Sequence, residues 1–206
     1  MKKYLGAVSV ISLGFILTSC APVQNQSVTY VNPETTKPMT LALEYKDFQK
    51  AAISLVQSLL QSPVMQSCGG SNGRCVIAVA TIRNDTTQNI DLDQLLSDIK
   101  EALLQSGKVY ISAAVSTTDR DKMLQEIRKL RGNPEFNAKT LPGKGNLIAP
   151  KYLLSGEIIQ KTYYVGDRKY VEYYFILRLI DVDTGLVLWE GKKVIAKAGS
   201  SDMATW

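Results

Sequence analysis

The chain has 206 residues, 45% of them hydrophobic, and a formal charge of +5 with no histidine at all. That length suits one domain with a real core and is short for two. The mild, scattered positive charge argues against nucleic acid, and the missing histidine excludes every His-based triad, general base or zinc-hydrolase scheme.

Lys2 and Lys3 precede an apolar run over residues 4–17, which ends in Leu17-Thr18-Ser19-Cys20. A charged start, an apolar stretch of this length and small residues at its end form a secretory signal peptide, and a membrane-spanning helix needs ~20 apolar residues. The ending resembles a lipobox, in which a peptidase cuts before a cysteine that carries lipid. On that reading residues 1–19 are removed and Cys20 is the lipidation site; the alternative is an ordinary signal peptide with an incidental cysteine. No acidic residue follows Cys20 directly, which goes with sorting to the outer membrane, on its periplasmic face.

Residues 20–43 hold Pro22, Pro33 and Pro38 among Gln, Asn, Ser and Thr, and read as a flexible tether spanning roughly 25–30 Å. A single globular domain is assigned to 44–206. It opens on a helix in which Phe48, Ala51, Ala52, Leu55, Val56 and Leu59 recur at helical spacing and Pro63 stops the run. Cys68 and Cys75 flank Gly69-Gly70-Ser71-Asn72-Gly73-Arg74. In an oxidising compartment this even pair is expected to form a disulfide, with two free thiols as the alternative and no metal.

Residues 76–82 read as a buried strand. Asp91 and Gln94 open a helix with Leu92, Leu95, Leu96, Ile99 and Leu103 inward, closed by Gly107. Residues 109–115 alternate as a strand. Asp119 opens a short helix with Met123, Ile127 and Leu130 inward. A long loop rich in Gly and Pro covers 132–150. Three strands follow, at 152–163, 170–181 and 186–194, joined by turns at Gly166-Asp167 and Asp183-Thr184-Gly185. The order implies an α/β (α+β) fold with a small mixed β-sheet flanked by helices: parallel where helices cross over, antiparallel at the end.

Chemistry is sparse. Ser97-Asp98-Ile99-Lys100 matches the S-x-x-K pattern of penicillin-recognising enzymes, but its companions S-D-N and K-T-G are missing and a solvated helix face explains it. The carboxylate pairs Asp91/Asp93 and Asp181/Asp183 sit where caps and turns use them. No catalytic residue, cofactor or small-molecule substrate is assigned. What stands out is a tyrosine cluster about one hairpin: Tyr163, Tyr164, Tyr170 and Tyr174, with Arg168 among them. Tyrosine and arginine favour interface cores, although tyrosine also suits strands for its own sake. These five residues are the candidate partner-binding set, while Tyr173 belongs to the core.

Several ordered blocks, Ile82-Arg83-Asn84-Asp85-Thr86, Leu154-Ser155-Gly156-Glu157-Ile158-Ile159-Gln160, Val171-Glu172-Tyr173-Tyr174-Phe175 and Asp183-Thr184-Gly185-Leu186-Val187-Leu188-Trp189-Glu190, resemble the LpoB family of outer-membrane lipoproteins that activate bifunctional penicillin-binding proteins. The resemblance implies a fold similar to the N-terminal domain of TolB. It also implies a non-enzymatic function, docking onto a class A penicillin-binding protein to stimulate peptidoglycan synthesis. The family's long proline-rich tether is not matched by the short one here. The rival expectation is a structural or export lipoprotein of the curli-secretion type.

Overall fold

The computed structural model describes residues 40–68, 73–115 and 119–203. Cys20, the signal segment and most of the tether lie outside the described residues.

The first helix, α1 (Tyr45–Gln61), buries Phe48, Ala51, Ala52, Leu55, Val56 and Leu59 on one face, as its spacing predicts. The backbone N–H of Glu44 donates to Asp47 Oδ2 at 3.1 Å and satisfies one orphan donor at the start. Ser62 is extended (ψ 152°), the conformation forced on a residue before proline, and Pro63 opens α2 (Pro63–Ser67) at a position where its missing N–H costs nothing. Next come β1 (Cys75–Asp85), α3 (Leu92–Gln105), β2 (Val109–Ile111), α4 (Asp119–Lys129), β3 (Tyr152–Val165), β4 (Arg168–Asp181) and β5 (Val187–Ser200). Asp91 caps α3 by accepting from Gln94 N at 3.0 Å.

The strands form one mixed sheet in the order β2-β1-β3-β4-β5. β1 pairs in parallel with β2 and with β3. The β3–β4 and β4–β5 pairs are antiparallel hairpins. The mixed arrangement expected from the element order is therefore the one observed. α1 and α3 pack together and cover one face of the sheet. Between helices and sheet lies the core, with Leu55, Leu59, Leu95, Ile99, Leu154, Tyr173, Phe175 and Leu179 all fully buried. Gly156 sits beside a register shift in β1, and a Cβ there would come within 2.6 Å of Leu177 and 3.0 Å of the Ile176 carbonyl. Only glycine leaves β3 and β4 room at that point.

Three expectations need correction. The composition extends the tether through Leu43, but Leu41, Ala42 and Leu43 are buried. Three side chains hold their backbone in turn. Tyr173 Oη donates to Leu41 O at 3.0 Å, Lys197 Nζ to Ala42 O at 2.5 Å, and Leu43 N donates to Gln88 Oε1 at 2.8 Å. The second strand ends at Ile111 rather than 115, because the apolar alternation past that point finds nothing to cover it: Val115 is exposed. In α4, Met123 is 63% exposed and Ile127 43%. Periodicity marks an apolar stripe but does not say what packs on it. The 3₁₀ turn Leu130–Gly132 that follows is fixed to the long loop instead, by Arg131 Nε donating to Pro142 O at 2.7 Å and Arg131 Nη2 to Gly143 O at 3.0 Å.

Two stability predictions arise here. Cys68 and Cys75 are joined by a disulfide with Cα atoms 5.5 Å apart, tying the end of α2 to the start of β1. Closing so short a loop contributes roughly 2–3 kcal/mol in the chain-entropy model. Cys68→Ser with Cys75→Ser should lower the free energy of unfolding, extrapolated from a urea titration, by that amount. Tyr173 provides the second. Burial pushes its phenol up from 10.0 to about 12, and the nearby Asp47 carboxylate adds to the rise. A folded-state value above the unfolded one means that stability is intact below pH 10 and is lost as the pH climbs towards 12. An alkaline denaturation series should show this loss in the native sequence and a flatter profile in Tyr173→Phe.

Candidate functional site

Side chains alternate across a strand, and in β4 the odd-numbered residues from Lys169 to Asp181 are buried while the even-numbered ones face away from the helices. Register carries this parity into the neighbours. Tyr163 stands opposite Tyr170, Lys161 opposite Glu172, Ile159 opposite Tyr174 and Glu157 opposite Ile176. On the other side, Tyr174 meets Val194 and Arg178 meets Glu190. The result, among the described residues, is a sheet face without a helical cover, carrying tyrosines at the hairpin tip and charges further down.

The hairpin turns at Gly166 (φ 60°) and Asp167, with glycine at the first central position where a two-residue turn of matching twist needs it. Beyond it the Tyr163 and Tyr170 rings stack, centroids 5.2 Å apart and planes 4° from parallel. Arg168 lies over the Tyr170 ring at 5.9 Å and Lys161 over that of Tyr174 at 5.0 Å. Glu172 accepts from Tyr163 Oη at 3.0 Å and, in a short bond, from Tyr174 Oη. Those two bonds, Tyr174's first, hold the Glu172 carboxyl below the ordinary carboxylate value, and the Lys161 charge helps. The same contacts raise the Tyr163 and Tyr174 phenols, with the bond to Glu172 the largest cause in each. The cluster is thus fixed in place by its own hydrogen bonds and ring contacts, and its aromatic area is already ordered before any partner arrives.

Of the five candidate partner-binding residues, the structure brings together four: Tyr163, Arg168, Tyr170 and Tyr174. Tyr164 belongs to the opposite face. It stands opposite Lys169, whose ammonium reaches Met203 O at 3.1 Å, so strand parity separates Tyr164 from its neighbour Tyr163.

A second feature of the open face escaped the sequence. Arg83 of β1 pairs with Glu157 of β3 at 2.5 Å, and Glu157 also pairs with Arg178 of β4 at 3.2 Å. Arg178 in turn pairs with Glu190 of β5 at 2.5 Å. Positive and negative alternate across four strands. Each exposed pair is worth little alone, but the row fixes the four strands' relative register. The signal available beforehand was Arg178 on the half-polar face of β4; its partners depend on the strand order.

The remaining ionisable groups serve the fold. Asp181 accepts from Asp183 N, Thr184 N and Thr184 Oγ1 at 2.9–3.0 Å, which builds the β4–β5 turn and lowers its carboxyl, the Thr184 backbone bond most of all. Ser97 is exposed on α3. Among the described residues no three His, Cys, Asp or Glu side chains stand close enough to hold a metal ion.

Comparison with known families places the chain. The model of the family described as peptidoglycan-synthase activator LpoB matches residues 47–195. The chain belongs to the LpoB family. Among solved structures it is similar to the LpoB C-terminal domain from Salmonella enterica, at 18% identity over 72% of this chain and 98% of that one, with a TM-score of 0.42. It is similar as well to the LpoB C-terminal domain from Escherichia coli, at 17% identity over 72% and 98%, with a TM-score of 0.41. The solution structure of E. coli LpoB aligns with 96% of this chain and 88% of that one, at 15% identity and a TM-score of 0.40. No curated protein sequence matches the chain.

Proposed function

We propose that this LpoB-family chain is a lipid-anchored envelope protein that binds a class A penicillin-binding protein and activates its peptidoglycan synthesis. The observation that carries the reading is family membership across residues 47–195. The open sheet face supplies the docking surface, with Tyr163, Arg168, Tyr170 and Tyr174 as its anchors. Binding one conformation of the synthase more tightly than another would shift its population, and a tenfold stimulation needs only about 1.4 kcal/mol of differential affinity. The anchor is Cys20, on the outer membrane's periplasmic side. No helix among the described residues is long and apolar enough to cross a membrane.

The test is direct. The chain from Cys20 onward is added to purified class A penicillin-binding proteins of the same cell, and consumption of the lipid-linked glycan precursor is followed. A several-fold rise with one synthase supports the reading and names the partner. No rise with any of them, at micromolar folded protein, ends it.

A further inference from the structure

Both outer strands of the sheet leave one edge open, and the two edges differ greatly. β2 has three residues, whereas β5 has fourteen. Among the described residues the only neighbour of β5 in the sheet is β4, so its far edge presents a row of unpaired backbone groups. A long open edge is a template for another strand. What strand it suits can be read from its side chains.

We propose that this edge pairs with the same edge of a second copy of the chain, about a two-fold axis through Gly191. In an antiparallel ladder, residues facing each other across the edge are of like parity when both strands are the same segment, so the axis must pass through a residue. From Trp189 onward β5 is regular against β4. Its acidic residue is Glu190, and its lysines are Lys192, Lys193 and Lys197. Only Lys192 shares Glu190's parity. A single two-fold register therefore places Glu190 opposite a lysine, and it is the one centred on Gly191. That register forms two Glu190–Lys192 pairs, one on each side of the axis. It also sets Lys193 opposite Trp189, a cation beside an aromatic ring, twice over. Moving the axis one residue either way opposes Glu190 to Glu190 or Lys192 to Lys192.

The local structure suits this use. Glu190 Oε2 accepts from Arg178 Nε at 2.5 Å, and the Glu190 side chain is about half exposed. Lys192 and Lys193 are exposed and have no ion-pair partner among the described residues. Lys197 is engaged with Asp47 at 2.6 Å and lies outside the pairing segment. At the axis itself Gly191 presents no side chain, and the Trp189 ring lies across it: a Cβ there would come within 2.5 Å of that ring. The axis runs perpendicular to the sheet, so both copies turn their open faces to the same side. The row Arg83–Glu157–Arg178–Glu190 then continues into the second copy through its Lys192. Lysines on an edge can also serve simply to keep other strands off, and the experiment separates the two roles.

The test is sedimentation velocity of the full chain in mild detergent, from micromolar to submillimolar concentration, with Lys192→Glu and Glu190→Lys as separate variants whose melting curves verify folding. The native chain should pass from monomer to dimer. Each variant alone puts like charges opposite each other twice, which should raise the dimerisation concentration roughly tenfold or more. Mixing the two variants should restore the dimer, because each substituted side chain then meets its opposite charge. A monomer at every concentration, a dimer indifferent to either substitution, a mixture that does not recover, or a larger ring would each overturn the proposal. None of these outcomes depends on the synthase.

Discussion

Tyr163→Ala combined with Arg168→Ala should weaken binding to the synthase by about 2 kcal/mol or more, roughly thirtyfold, and leave the fold intact. Both side chains are exposed at the hairpin tip, so the change in folding stability should stay within about 1 kcal/mol. The loss at the interface is larger than either contact suggests. Tyr163 stacks on Tyr170 and donates to Glu172, so its removal also frees the two groups that hold the remaining aromatic surface in place. Tyr164→Ala is the matched control: it deletes an equally large ring one residue away, on the opposite face. Affinities measured by surface titration against the immobilised synthase should separate the pair cleanly. Equal losses for Tyr164 and for Tyr163 with Arg168, or no loss in either, would remove the open face from the docking surface.

The largest stability effect is expected at Phe175. It lies in the middle of β4, fully buried, opposite Ile158 on one side and Lys193 on the other. Phe175→Ala removes a ring that the surrounding side chains cannot replace without a cavity, at a cost of about 3–5 kcal/mol. Against a total stability on the order of 5–15 kcal/mol this removes a large share. In a chain of this size the melting temperature should fall by roughly 10–15 °C. Phe175→Leu keeps most of the volume and should cost less than about 1.5 kcal/mol. Calorimetry of the two variants beside the native chain decides the matter, and a loss below about 1 kcal/mol for alanine would mean that the core closes over the gap.

What could be read from the sequence was whatever depends on one element at a time. The stripe Phe48, Ala52, Leu55 and Leu59 defined α1, and the alternation in β4 assigned Tyr173 to the core and Glu172, Tyr174 and Arg178 to the other face. The ring closed by Cys68 and Cys75 followed from local spacing. Features that need two elements were not legible. Whether Met123 and Ile127 are covered depends on where α4 settles, and they are not. Tyr164 sits beside Tyr163 in the chain yet on the other side of the sheet, because clustering in sequence ignores parity. The Arg83–Glu157–Arg178–Glu190 row joins residues that only the strand order makes neighbours. Leu41, Ala42 and Leu43 follow a run of polar residues and prolines, and their burial is decided by groups contributed from β4, β5 and the loop after β1.

Those three residues also determine how the domain meets mechanical load. Any pull arriving from the N-terminal side enters the fold at three consecutive backbone groups, Leu41 O, Ala42 O and Leu43 N, each gripped by a different side chain: Tyr173, Lys197 and Gln88. Bonds loaded side by side share a force, whereas bonds loaded in series at a peeling edge fail one after another. Tyr173 and Lys197 pass their share to β4 and β5, strands bonded to each other along nearly their whole length. The domain is therefore harnessed by its sheet, and a pull applied at Leu41 is spread through the most continuous part of the structure.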